Sequence, residues 1–438
     1  MGARAAGRAP RRAGCTLLYN IAMVKNFIAM MEGSLGLEEP WYVESAEFSD
    51  ERQRIDIYVG IRPLAAFVCP VCGGAAVRDG YEPDERIWRH GDCMFYPTYV
   101  HCRRPRVKCP KCGVHQVNAP FERKGSRFTT YFEGYAMMLM ADMPRAKAAR
   151  LLRCDEKSMA SMLSYWVGKA VDERSLGDVA RLALDETSFR RGHSYVTVAV
   201  DADRRRVIDV EEGRDKEAVA SFCGKLRAKG GSPEGIVAVT SDMSKSYCPA
   251  IAENFPNATH VIDKFHVKQT VTSAMDEVRK EEQKEVEDKK ELFRKRKLFF
   301  KPSAALTQEQ AEEIAALSRR FPKTGRAFRI IASFDDFYRS RSVTEAETAF
   351  KRLYSWMRRC RLEPMKKAGE TLLAHKDKIM AYFKDHITNA ISEGINSLIQ
   401  AAKRKARGFH TFEGFAAMIY LVAGKLELAT PNPFRRIH

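Results

Sequence analysis

Hydrophobic period changes along the chain. Between residues 72 and 109 apolar positions such as Ile87, Trp88, Phe95, Tyr99 and Val100 alternate with polar ones, the mark of a small β-ribbon. Residues 143–171 then switch to helical spacing. Ala146, Ala149, Leu151 and Leu152 mark one short helix, Arg153–Glu156 a turn with Asp155 as N-cap, and Met159, Met162, Leu163 and Trp166 the apolar stripe of a second helix. Strand patterns return at 181–185, 195–201 and 206–211, followed by an amphipathic helix over 215–229. A buried-type strand over 236–241 ends in Asp242, a helix spans 244–253, and a strand over 258–262 ends in Asp263. Helices follow over 266–300, 308–320, 326–339, 343–361 and 365–384. A last helix, 387–402, places Ile387, Ile391, Ile395, Leu398 and Ala402 on one face. Asn389, Glu393, Asn396, Gln400 and Lys403 or Arg404 occupy another.

The order β-β-β-α-β-α-β predicts an α/β, multidomain chain with a ribonuclease-H-like catalytic domain, its first and fourth strands adjacent at the centre. The expected segments are a leader over 1–34, a zinc-ribbon domain over 35–122 and a helix-turn-helix over 123–175. The catalytic domain takes 176–266 and 385–425, an all-α insertion fills 267–384, and 426–438 form a tail. The leader is rich in Ala, Arg, Gly and Pro, so Met23, Met30 and Met31 are alternative starts. Trp356, inside the insertion, is expected to pack in its core rather than to touch a flipped base.

Charge refines this picture. The 438 residues carry a formal net charge of +18, with 45% hydrophobic residues, enough for sizeable cores. No apolar run approaches the roughly 18 residues of a membrane span, so a soluble, cytoplasmic, nucleoid-associated protein is expected. Residues 101–170 hold 14 basic and 5 acidic side chains, the densest basic excess in the chain. That points to a DNA-binding module in which Arg103, Arg104, Arg106, Lys108, Arg145, Lys147, Lys157, Ser158 and Ser161 are the candidate contacts. Lys403, Arg404, Lys405 and Arg407, at the end of the last helix, are aimed at phosphates too. Residues 276–301 hold 10 basic and 8 acidic side chains, a solvated helix rather than a basic arm.

Eleven cysteines, an odd number without a secretion signal, argue for reduced thiols. Two C-P-x-C-G knuckles, Cys69/Cys72 and Cys109/Cys112, have the spacing of one four-thiolate structural Zn²⁺ site. A redox pair, or a ligand exchange with Cys93, Cys102 or His101, is the competing reading. Cys154, Cys223, Cys248 and Cys360 read as small buried apolar residues.

Asp185 and Asp242 end the first and fourth strands, where their carboxylates can share a divalent cation. Glu393 is the acid on the polar stripe of the last helix. Asp263 rivals Asp242 as the second ligand. His266, in the run Asp263-Lys264-Phe265-His266, either contacts the scissile phosphate, fixes Asp263 or sits in the core, and Glu186 is expected to cap or to pair with an arginine. The segments LALDETSFRRG, VTSDMSKSY, VIDKFHV and ITNAISEGINSLIQAAKRKARGFHTFEGF resemble DDE transposases of the ISL-three family of bacterial insertion sequences. The ribbon and the helix-turn-helix stand in that family's order, and the resemblance spans about residues 35–425. It implies that Asp185, Asp242 and Glu393 are the catalytic, metal-binding triad, with two Mg²⁺ or Mn²⁺ ions. It also implies binding to the terminal inverted repeats of an element and to target double-stranded DNA, with strand cleavage and strand transfer by a homodimer. A transposase-derived DNA-binding regulator and a stand-alone nuclease of the same fold are the alternatives.

Overall fold

A computed structural model describes residues 25–63, 65–190, 194–243, 247–286, 289–302, 305–385, 390–406 and 408–430. Contacts divide the chain into two compact units, residues 1–170 with 427–438, and residues 171–426.

The first unit begins with helix α1 (residues 25–35). Eight strands follow among the described residues: β1 (Trp41–Ser49), β2 (Arg54–Ile61), β3 (Phe67–Val68), β4 (Ala75–Tyr81), β5 (Arg86–Cys93), β6 (Tyr96–Cys102), β7 (Pro105–Cys109) and β8 (Gly113–Gln116). They make two four-stranded sheets, in the orders β1-β2-β6-β5 and β3-β4-β7-β8. The segment between the knuckles therefore does more than widen a ribbon. Its β5 and β6 lie outside the cysteine-bearing sheet as a hairpin whose β6 pairs with β2, and Trp88 and Val100 are buried in one core with Ile57 and Phe121. Met31 and Leu35 of α1 belong to the same core. Residues 25–34, expected in a leader, are thus folded; residues 1–24 lie outside the described residues.

Three helices complete this unit: α2 (Thr130–Asp142), α3 (Arg145–Leu151) and α4 (Glu156–Glu173). Thr129 caps α2, and Asp155 caps α4 by accepting the Ser158 amide at 2.8 Å. Met159, Met162, Leu163 and Trp166 are buried as the stripe predicts. On α3 the buried face is Ala148 and Ala149, with Leu152 following, whereas Ala146 is exposed and Leu151 is 55% exposed. Seven residues make only two turns, and the small side chains take the inner side. Glu133, fully buried on α2, ties the helices together. It accepts Arg123 Nε at 2.8 Å, Ser126 Oγ at 2.5 Å and the Trp166 indole N–H at 2.6 Å.

The second unit is built on a five-stranded sheet in the order β11-β10-β9-β12-β13. Its strands are β9 (Arg181–Arg190), β10 (Ser194–Asp201), β11 (Arg206–Glu212), β12 (Ala238–Ser241) and β13 (Thr259–Ile262). β9, β10 and β11 pair antiparallel with one another, while β12 is parallel to both β9 and β13. Helices α5 (Lys216–Ala228) and α6 (Tyr247–Asn254) cover one face, where Leu182, Leu184, Ile208 and Val239 meet Phe222, Ile251 and Phe255. Alternation along β9 sends Ala183, Asp185 and Thr187 to the opposite face. That face receives α16 (Ala390–Ala406) and α17 (Phe412–Ala423), which docks through Tyr420 Oη on Asp209 at 2.9 Å and Phe415 stacked on Phe189.

Between β13 and α16 lie α7 (Lys264–Glu285), α8 (Lys289–Arg294), α9 (Arg296–Phe299), α10 (Gln308–Arg320), α11 (Pro322–Phe337), α12 (Val343–Arg359), α13 (Glu363–Ala374), α14 (Lys376–Met380) and α15 (Tyr382–Asp385). One long helix over 266–300 is not formed: α7 stops where Val286 turns extended, at φ −99° and ψ 151°. The 365–384 helix is likewise broken, at His375 and Ala381, while α11 starts earlier than its periodicity suggests because Pro322 suits a first helical turn. These helices share one apolar cluster that reaches Ile262 of β13 and Cys248 of α6. Trp356 is not in that core; it is 37% exposed on α12.

Candidate functional site

The sheet register sets the position of the acidic residues. Ala183 pairs with Thr240 across β9–β12, and Thr240 pairs with Val261 across β12–β13. Carried two residues further, the same offsets level Asp185 with Asp242 and Asp263, which directly follow the ends of β12 and β13, whereas Asp185 stands inside β9, which runs on to Arg190 and so does not end at Asp185 as the sequence suggests. Asp242 stands one strand from Asp185 and Asp263 two strands away, where each step is about 4.8 Å. Such strand ends are where open α/β sheets bind ligands.

Asp185 is 8% exposed. Its Oδ2 accepts the Asn396 amide at 2.5 Å and its Oδ1 the Glu186 backbone N–H at 2.7 Å. His266 Nε2 lies 4.0 Å from Asp185 Oδ1 and 3.8 Å from Asp263 Oδ2. Burial raises the Asp185 pKa and the Asp263 charge adds to the rise, while His266, the Glu186 amide and Asn396 oppose it. Burial also raises Glu186, with the Asp242 charge next in weight and Arg214, 3.6 Å away, opposing. Glu186 thus pairs with an arginine, as expected. Asp263 Oδ1 caps α7 by accepting the Phe265 amide at 3.0 Å, leaving its other oxygen toward His266. His266 is no core histidine: its side chain is 25% exposed and it lines, with Asp242, an open cleft between α7 and α13.

Helix α16 presents its polar stripe to β9. Asn396 reaches Asp185, Gln400 Nε2 donates to Thr187 Oγ1 at 2.9 Å, and Lys403 Nζ donates to Ser188 Oγ at 2.9 Å. Glu393 occupies this helix three residues before Asn396, but its side chain lies outside the described residues, as does all of Arg407. Lys403 is engaged with β9 and partly buried, whereas Arg404 and Lys405 are exposed. The sequence marked the stripe as polar; its hydrogen bonds to Thr187 and Ser188 depend on a strand two hundred residues away.

The charges of Asp185, Glu186, Asp242 and Asp263 act on one another beside His266 and Arg214, but among the described residues only four cysteines bring three or more ligand atoms within metal-binding distance of one another. Carboxylate oxygens of this kind suit Mg²⁺ or Mn²⁺ once brought together.

The second centre lies in the first unit. One ligand atom from each of Cys69, Cys72, Cys109 and Cys112 lies within 4.8 Å of the others, and Cys72 Sγ is 3.7 Å from Cys109 Sγ. Tetrahedral zinc with bonds of about 2.3 Å requires sulfur–sulfur edges of about 3.8 Å, so the set fits one ion. Gly73 and Gly113, after the second cysteine of each knuckle, have φ of +70° and +86°, which lets the chain double back. Backbone N–H groups of Cys112 and Lys111 lower the Cys109 thiol to about 6. Cys93, Cys102 and His101 stand apart from the cluster; His101 is held between Glu85 and Asp56, both at 2.8 Å. Cys223, Cys248 and Cys360 are buried as expected, and Cys154 is partly buried.

The basic candidates of this unit divide. Arg104 is buried and paired with Glu82 and Glu122, each at 2.6 Å, so its charge is met inside the fold. Arg103 donates to the carbonyls of Glu82 and Pro83, and Arg106 pairs with Asp79 at 3.3 Å. Ser158 serves the α4 cap, and Arg145 lies 3.9 Å from Glu156. Lys108, Lys147, Lys157 and Ser161 are exposed.

No described helix is long and apolar enough to cross a membrane. A family model described as Transposase, of the ISL3 DDE type, matches residues 182–419. A second, described as zinc-finger of transposase IS204/IS1001/IS1096/IS1165, matches residues 65–112. The transposase for insertion sequence element IS1557 of Mycobacterium tuberculosis (strain CDC 1551 / Oshkosh) is 23% identical over 424 residues, covering 90% of this chain and 95% of that protein. The transposase for insertion sequence element IS1001 of Bordetella parapertussis is 24% identical over 390 residues, covering 87% and 95%. With the first model spanning more than half of the chain, and the zinc-finger model on the four-cysteine knuckles, the chain belongs to the ISL3 family of DDE transposases.

Proposed function

We propose that this chain binds the terminal inverted repeats of an insertion sequence and catalyses strand cleavage and strand transfer at Asp185, Asp242 and Glu393. The observation that supports the reading is the parallel β9–β12 register, with Ala183 opposite Thr240, which carried two residues on levels Asp185 with Asp242, together with α16 bonded to Asp185. The sheet order, with three antiparallel strands followed by two parallel ones and the first at the centre, supports a ribonuclease-H-like reading. Glu393, three residues before Asn396 on the same helix, is the third carboxylate of the proposal. Asp242 is preferred to Asp263 because it follows β12, the strand paired directly with β9, whereas Asp263 follows β13, one strand further out.

A pair of divalent cations, when bound, would supply Lewis-acid stabilisation of the attacking and leaving oxygens. The protein's own part is positional. Asn396 and the Glu186 amide hold the Asp185 carboxylate in one orientation, and Asp263 holds His266 beside it. His266, half in the cleft, is placed to donate to a non-bridging phosphate oxygen. Water then frees a 3′-hydroxyl at the element end, and that hydroxyl attacks target DNA without a covalent protein intermediate. The α3–α4 pair is read as a helix-turn-helix, with Lys147, Lys157 and Ser161 as its exposed contacts, and the zinc sheet as its partner in end recognition. Arg404 and Lys405 are read as phosphate contacts beyond the site, and a homodimer as the assembly that holds two ends.

The test is Mg²⁺-dependent cleavage of duplexes carrying the element ends. Asp242→Ala and Glu393→Ala should abolish cleavage and leave end binding intact. Cleavage at the wild-type rate by either variant overturns the triad, and Asp263→Ala then decides whether that carboxylate is the second ligand.

A further inference from the structure

The β5–β6 hairpin closes through Met94 and Phe95, between the paired residues Cys93 and Tyr96. Both loop residues have positive φ, 49° and 70°. That is the backbone of a type I′ turn, which Asn-Gly fills with ease. Bulky side chains at such angles are outliers, and strain of this kind persists where the surrounding structure enforces it. Met94 is 78% exposed and Phe95 91% exposed, so packing within the fold does not account for either.

The tip is held firmly. Arg153 Nη2 donates to the Phe95 carbonyl and to one oxygen of Asp92, whose other oxygen accepts Arg89 Nη2. Arg153 itself lies in the turn between α3 and α4, in the left-handed region at φ 53°. The residue that closes this turn therefore also fixes the hairpin tip beside it. Arg153 remains 49% exposed, Arg127 pairs with Asp155 at the start of α4, and Lys157, the second residue of α4, is exposed. The acid at the tip, Asp92, is taken up by two arginines. An apolar point with a cationic border is complementary to base stacks lined by phosphates. Apolar wedges of Phe and Met that part base steps are an established mode of duplex binding.

We propose that Met94 and Phe95 form a wedge that inserts into duplex DNA and unstacks one base step beside the segment contacted by α3 and α4. The inference rests on the reading of the first unit as the end-binding module. Its partner is duplex DNA, and a second copy of this chain is an outcome that the test separates.

The experiment uses the full chain and duplexes cut from the DNA flanking its coding sequence, with 2-aminopurine placed at successive positions. Binding of the wild type should raise fluorescence at one step. The double substitution Met94→Asn with Phe95→Gly suits the turn, so its Tm should be equal or higher. It should lose the fluorescence rise and bind roughly tenfold more weakly, the scale of one lost aromatic–base stack. Its salt dependence should stay unchanged because the phosphate contacts remain. Retained fluorescence and affinity in the double variant overturn the wedge while end binding stands. Loss of self-association in sedimentation, with DNA binding intact, also overturns it and makes the tip a protein contact. A wild type that does not prefer the flanking duplexes over random DNA overturns the end-binding reading itself.

Discussion

Asn396→Ala isolates the link between α16 and the catalytic strand. The Asn396 amide is the side-chain donor to Asp185 Oδ2, and it serves a carboxylate that is 8% exposed. A hydrogen bond to a charged group contributes about 1.5–3 kcal/mol, so its loss should slow Mg²⁺-dependent cleavage roughly ten- to a hundredfold. Alanine is the best helix former, so α16 itself should not weaken. The variant also has a pH signature. Burial already raises the Asp185 pKa, and Asn396 is one of the groups opposing that rise. Without it the pKa climbs further, and the acidic limb of the pH–rate profile should move to higher pH. The deficit should then shrink as pH increases. Gln400→Ala serves as the control, because it removes a bond between α16 and Thr187 while leaving Asp185 untouched. The assay is single-turnover cleavage of end duplexes across pH. An Asn396→Ala protein with wild-type rate and an unmoved acidic limb refutes the reasoning, as does a Gln400→Ala protein with the same deficit and the same shift.

Glu133→Gln should cost about 3–5 kcal/mol in urea unfolding, because it leaves Arg123 without its buried partner, and a combined Arg123→Met, Glu133→Leu protein should lose less than the single variants together. Zinc analysis should find one ion per chain in the wild type and none in a Cys69→Ser, Cys109→Ser protein; retention of zinc by that variant would rule out the four-thiolate site. His90 is buried and its pKa is lowered to about 4 by desolvation and by Arg89. Its folded pKa lies below the unfolded value, so stability is fully present above about pH 6.5 and is lost as pH falls toward 4, by about 3 kcal/mol. Urea midpoints across this range should show the slope, and His90→Gln should flatten it; equal slopes in the two proteins would contradict the assignment.

The local chemistry of this protein is written in short stretches of its chain. The knuckle glycines Gly73 and Gly113, the Asp155 cap, the buried stripe of α4 and the strand order around Asp185 and Asp242 all follow from neighbouring residues. Turns, caps and amphipathic faces depend on spacing over a few positions, and spacing survives in sequence. The strand offsets that level Asp185 with Asp242 do not, since register is set by pairing between distant segments. The same holds for solvent access. Arg104 and Lys403 look like free cations in a basic run, yet one meets Glu82 and Glu122 and the other Ser188. Trp356 looks like a core residue and is left 37% exposed outside the apolar cluster, while residues 25–34 look like a leader and contribute Met31 to a core. Composition specifies which groups are charged or apolar. Only tertiary packing decides which of them find a partner across the chain and which are left for DNA.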